Sequence, residues 1–142
     1  MPFAELHLKR ILIIRAEQNS ELLQFINKIA EEAKITTATF TAIGALKYAK
    51  IGFYDQEKHE YQQITLDSPH EIASCLGNIS IKDGKPFIHA HVVLANEAGS
   101  VKAGHLLEGV IFASEIHLYE LKGPKLERNY DEATGLSLWN LS

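Results

Sequence analysis

Only one stretch of this chain carries a helical period, and most of the remainder reads as strand. Leu22, Ile26, Ile29, Ala30 and Ala33 recur three and four residues apart, which puts them on one face of a helix ending near Lys34. Asn19-Ser20 offers an N-cap ahead of it, with Glu21 in the first turn, where a carboxylate suits the helix dipole. The β-branched run Ile11–Arg15 predicts a strand before the helix. After it, β-branched and aromatic residues predict strands over Ile35–Ile43, Ala49–Tyr54, Glu60–Leu66, Phe87–Ala95, Val101–Leu107 and Val110–Leu121. Glu71–Leu76 and Ile79–Ile81 read as one strand broken at Gly77, a place for a bulge. Gly44, Asp55–Lys58 and Ser68-Pro69 punctuate the strands, and Asp83-Gly84 is a hairpin signal.

A chain of 142 residues with these elements and no linker or repeat is read as one domain over 1–142, with a core over about 10–121. The tail, 122–142, carries Leu136, Leu138, Trp139 and Leu141, and is expected to pack on the domain or on a neighbouring subunit. Lysine and arginine are outnumbered by acids, giving a net charge of −4, which disfavours a nucleic-acid binder that relies on neutralising phosphates. With a single cysteine, Cys75, there is no intrachain disulfide and no four-thiolate zinc site; the residue is expected in the core. No apolar stretch approaches the roughly 18 residues of a membrane span, and Met1–Arg10 has no cleavable signal pattern, so a cytoplasmic protein without membrane association is expected.

Seven histidines stand out, and three of them suggest chemistry. On a strand, His89 and His91 project from the same face, roughly 6.6 Å apart at the backbone. If Glu97-Ala98-Gly99 is a three-residue loop with Gly99 left-handed, Asn96 faces Ser100 and His91 falls directly opposite His105. A loop one residue shorter or longer would turn His105 to the other face. Three neutral imidazoles with an open position suit Zn²⁺, and also Fe, Ni or Co. The alternative is three hydrogen-bonded or solvated histidines without a metal. Glu115 shares a strand face with His117 and is the candidate general base or outer carboxylate, against a solvated strand face. Arg15 is an anion-binding candidate or an ion-pair partner, and His7, His59 and His70 are expected at the surface.

The series Gly44-Ala45-Leu46, Gly52-Phe53-Tyr54-Asp55, Leu76-Gly77-Asn78-Ile79-Ser80, Asp83-Gly84-Lys85-Pro86, His89-Ala90-His91-Val92-Val93-Leu94, Gly104-His105-Leu106 and Glu115-Ile116 resembles the PPC domain, the plant-and-prokaryote conserved domain (DUF296). Ala103 stands where that family usually has a second glycine. The resemblance implies an α+β domain with a mainly antiparallel β-sheet and one principal helix, assembling as a homotrimer. It further implies a divalent-metal site, Zn²⁺ by expectation, at His89, His91 and His105. Plant relatives carry an AT-hook ahead of the domain, and a DNA-binding or transcription-associated role follows by that analogy, with DNA or a transcription factor as partner. No Arg-Gly-Arg-Pro-like string occurs here. The expected function is therefore a metal-binding or regulatory module, the alternatives being that DNA-associated role and a metal-dependent enzyme.

Overall fold

The structure, a computed structural model, describes residues 2–141. In chain order the elements are β1 (His7–Arg15), α1 (Leu22–Glu32), β2 (Ala38–Asp55), β3 (Glu60–Leu66), β4 (His70–Lys82), β5 (Lys85–Ala95), β6 (Val101–Lys122), β7 (Arg128–Asp131) and β8 (Leu136–Trp139). The main sheet has six strands in the order β1-β6-β5-β4-β2-β3, all its ladders are antiparallel, and a further β6–β2 pairing joins the second strand of that order to the fifth. Ladders therefore run β6 to β5 to β4 to β2 and back to β6, a closed circuit. β1 and β3 are each paired along one edge only.

Inside the circuit lie Phe40, Ile79, Leu94, Leu106, Ile116 and Leu118, each almost wholly buried. Helix α1 covers the gap on β6 between β5 and β1, burying Leu22, Ile26 and Ala30, one turn apart from each other. Burying a side chain such as Ile26 contributes about 1.5–3 kcal/mol.

The helix starts differently from expectation. Asn19 N–H bonds Ile111 O at 2.8 Å and Ile111 N–H bonds Ser20 O at 2.9 Å, so both expected caps are clipped to β6 instead. Glu21 is the N-cap. Its carboxylate accepts from Leu23 N–H at 3.1 Å and Gln24 N–H at 2.8 Å, and also from Gly109 N–H of β6 at 3.0 Å. One side chain thus caps the helix and ties it to the sheet. Glu21→Ala should cost about 2 kcal/mol, read as a lower urea midpoint at unchanged slope. Ser20→Ala should stay within about 0.5 kcal/mol.

Two pairs of expected strands are single long ones. β2 runs 18 residues through Gly44, and β6 runs 22 residues through Glu108 and Gly109. Their ladder shifts register between Ala45 and Leu46, Leu46 and Tyr48, and Lys50 and Ile51. An extra residue changes which alternate residues of its own strand face inward. On β2 the extra residue is Lys47, and the strand buries Ala38, Phe40 and Ala42 before it and Ala49 and Ile51 after it. The bulge expected at Gly77 is also displaced: β4 stays in register there and shifts between Ile72 and Ser74. Gly77 has a packing role, since a Cβ on it would stand 2.1 Å from Cζ of Phe40. The Asp83-Gly84 hairpin forms as expected, with Lys82 opposite Lys85 and both turn residues at positive φ.

The tail folds as the β7–β8 hairpin against β4. Leu126 is buried, Ile81 N–H bonds its carbonyl at 2.9 Å, and Glu127 bridges Ile81 in parallel. No helix among the described residues is long and apolar enough to cross a membrane.

Candidate metal centre

Asn96 builds the turn that sets the histidine register. Its Oδ1 accepts from Ala98 N–H at 3.0 Å and Ser100 N–H at 2.9 Å, its own N–H bonds Ser100 O at 3.0 Å, and Gly99 turns at φ +76°. His91 stands directly opposite His105, and His105 also faces Gly52 of β2 across the other edge of β6. The adjacent inward residues Ala90, Val92 and Leu106 are buried, so the alternation of the strands sends His89, His91 and His105 to the outer face.

There the three imidazoles form a nearly equilateral triangle, with ring centres 5.1, 5.2 and 5.5 Å apart. Nε2 of His89 and Nε2 of His91 lie 3.2 Å apart. A candidate ligand nitrogen from each of the three lies within 4.8 Å of the others, and no carboxylate or thiol of the described residues joins the group. Zinc–nitrogen bonds of about 2.0–2.1 Å put ring centres about 3.2 Å from the ion, so tetrahedral sharing separates two centres by about 5.2 Å and two nitrogens by about 3.3 Å. The ring-centre triangle and the His89–His91 nitrogen pair have those dimensions. His105 Nδ1 is buried with no hydrogen-bond partner, an open donor-acceptor position of the kind that asks for a ligand.

Burial and neighbouring positive charge disfavour protonation of two of the rings, His89 and His105. Burial first, then His105, His91 and Arg128, lowers His89 to about 4. Burial and His91 lower His105 as well. In the metal-free protein the unfolded chain protonates His89 near its ordinary value while the folded one waits until about 4. Between those values the unfolded state binds more protons, so stability falls as the pH drops through that window. The urea midpoint should therefore fall from pH 7 to pH 4.5, and fall less in His89→Gln.

Neighbours from distant segments shape the surroundings. Tyr61 of β3 stacks on His105, rings 4.7 Å apart and inclined by 25°. Gly52 makes room for it, because a Cβ there would lie 2.9 Å from the Tyr61 ring. Arg128 of β7 donates from Nε to Ser80 Oγ at 2.7 Å, from Nη1 to Ser137 O at 2.9 Å and from Nη2 to Asn78 Oδ1 at 3.0 Å. Those bonds hold the β7–β8 hairpin beside the histidines. Two clefts open there and share His89 as a wall. One, about 350 Å³, runs past His91, Leu76 and Trp139; the other, about 260 Å³, lies between His105, Lys82, Arg128 and Leu138.

The sequence offered no period or motif for Tyr61, Arg128 or Lys82. The mid-strand glycines Gly52 and Gly77, the second read from sequence as a bulge, were the available signal, since both mark close approaches.

Glu115 is not part of this constellation. It lies ten residues along β6 from His105, roughly 30 Å at the strand rise of about 3.3 Å per residue, exposed between Arg15 of β1 and Ile43 of β2. The separation is simply the length of an unbroken strand, which the sequence reading had divided. His70 is another correction: it is 6% exposed, with Nδ1 2.8 Å from Ser68 O, because the turn folds its ring inward. His7 and His59 are exposed, and Cys75 is buried, its thiol pushed up to about 12 by desolvation.

The profile of the Plants and Prokaryotes Conserved (PCC) domain matches residues 4–122, which spans the sheet, the helix and all three histidines. The chain belongs to this family. Among solved structures, a plant- and prokaryote-conserved (PPC) protein of Pyrococcus horikoshii superposes with a TM-score of 0.95 at 45% identity, covering 99% of this chain and 97% of that one. The "Metal-containing Protein" of Archaeoglobus fulgidus gives a TM-score of 0.95 at 42% identity, over 99% of each chain. Alpha-acetolactate decarboxylase of Bacillus subtilis shares the fold alone, with a TM-score of 0.58 at 11% identity over 92% of this chain and 59% of that one. No curated protein matches the sequence. In this PPC domain the β7–β8 hairpin beside the histidines lies beyond the matched residues.

Proposed function

We propose that His89, His91 and His105 hold a divalent cation, Zn²⁺ in the first place, and that the protein works as a metal-dependent binding module. The observation that carries this is the triangle of imidazoles, whose ring centres stand at the spacing a tetrahedral ion requires. The orphaned Nδ1 of His105 supports it, as does the likeness to the metal-containing archaeal protein. A three-histidine ion keeps a position open, and so supplies Lewis acidity to whatever occupies the adjoining clefts. Elemental analysis of the tag-free protein tests the reading: about one zinc per chain is expected. A protein that neither contains nor takes up Zn²⁺, Ni²⁺ or Co²⁺ overturns it.

A DNA-associated role finds less support. The net charge is −4, no AT-hook string occurs, and the cations near the histidines line a small cleft instead of a stripe. Sequence-selective nanomolar binding to duplex DNA by the isolated chain would reverse this preference.

The homotrimer implied by the family resemblance is proposed for the same molecule. Ile11 and Ile13 of β1, Ile43 of β2 and Leu76 of β4 are exposed by 50%, 71%, 51% and 62% on the outer face. Ile13, His117, Thr41, Leu76 and His91 are successive cross-strand neighbours, so this apolar face runs up to the histidines. Light scattering should return three times the 15.9 kDa chain mass, and Ile13→Asp should shift it toward the monomer.

A further inference from the structure

We propose that the cleft between the β7–β8 hairpin and the histidines is a carboxylate subsite, in which Lys82 and Arg128 hold the anionic end of a small organic acid beside His89 and His105. This deepens the metal-site reading and rests on it for the identity of the ligand's other contact. The first argument is charge. Lys82 and Arg128 both line the cleft, and neither has a carboxylate partner among the described residues. Both lie over the same ring, with Lys82 Nζ 5.3 Å and Arg128 Cζ 5.0 Å from the centre of Phe87. Two cations gathered at one aromatic ring, with no acidic residue lining the cleft, leave a concentrated positive field. A divalent ion on three histidines, with no carboxylate or thiol of the described residues in the group, adds two further charges that an anion from outside can offset.

The second argument is preorganisation. Arg128 spends three of its five donors on Ser80, Ser137 and Asn78, which fixes the guanidinium plane and leaves one N–H on each terminal nitrogen. A guanidinium held rigid with donors to spare loses little freedom when it accepts a carboxylate. The third is size and lining. The cleft is about 260 Å³, and Phe87, Leu136 and Leu138 make its remaining walls apolar. That suits a short carbon chain carrying one carboxylate, and is too small for a polymer.

The test is calorimetric titration of the Co²⁺-loaded protein, and of the metal-free protein, with butyrate, its uncharged isostere butyramide, and inorganic phosphate. Butyrate should bind the loaded protein, and butyramide at least roughly tenfold more weakly. Lys82→Met should weaken butyrate roughly tenfold while Co²⁺ content stays at the wild-type level. Arg128→Lys should do the same, but Arg128 also anchors the hairpin, so Lys82→Met carries the decision. Equal binding of butyrate and butyramide, unchanged binding in Lys82→Met, or phosphate binding more tightly than butyrate each overturns the carboxylate subsite and leaves the metal centre standing. Failure to load Co²⁺ overturns the metal centre, and the titration of the metal-free protein then decides the subsite by the same comparisons.

Discussion

His89→Ala and His105→Ala are each expected to lose at least nine-tenths of the bound metal while keeping the native fold. Three imidazoles on one ion share the work of holding it. Removing one leaves two ligands, and the loss exceeds the 10–100-fold typical of an outer partner. The fold should survive because the three rings sit on the outer face, away from the cluster that holds Phe40, Leu106 and Ile116. His105→Ala also removes the buried, unpartnered Nδ1 and the ring under Tyr61, so the metal-free variant should unfold within about 1 kcal/mol of the metal-free wild type. His117→Ala, on the same strand but remote from the triad, should keep full metal content. Wild-type zinc in either His89→Ala or His105→Ala would refute the ligand assignment.

Gly44→Ala is expected to be severely destabilising, costing about 2–6 kcal/mol. Two effects add. Gly44 has φ +138°, a conformation that L side chains rarely adopt, at about 1–3 kcal/mol. A Cβ there would also lie 2.1 Å from the carbonyl oxygen of Ala113, and neither backbone can yield without breaking the β2–β6 ladder, a further 1–3 kcal/mol or so. Gly84→Ala is the control that separates the two effects. Gly84 has φ +76° and nothing within 4 Å of the added Cβ, so only about 1 kcal/mol of backbone strain should appear. Urea denaturation at constant slope gives both numbers. Similar losses in the two variants would show that strain alone, and not the close approach of β2 to β6, governs position 44.

How much of this protein its sequence determines follows from the range over which each signal acts. The helix is read from a local period, and Leu22, Ile26 and Ala30 do face the core. The β5–β6 hairpin is equally local: the turn chemistry of Asn96 and Gly99 sets the register, which puts His91, five residues before Asn96, opposite His105, five residues after Ser100. Glu21 as cap was not legible, because the pull of β6 on Asn19 and Ser20 comes from Ile111, about ninety residues away in sequence. The unbroken lengths of β2 and β6 were hidden because bulges reverse the inward-outward alternation, and a period-two pattern that changes phase looks like two strands. Glu115 was singled out for the strand face it shares with His117, and β6 carries that face away from His105.

Sequence by itself determined the strand-rich domain with one helix, the hairpin turns and the common face of His89 and His91, since each depends on backbone preferences within a few residues. Only the tertiary structure decided the closed circuit of ladders, the stacking of Tyr61 on His105 and the arrival of Arg128 and Lys82 at the histidine face. Those juxtapositions depend on which strands pair and where bulges shift them, a collective outcome of burial and backbone hydrogen bonding that no local pattern encodes.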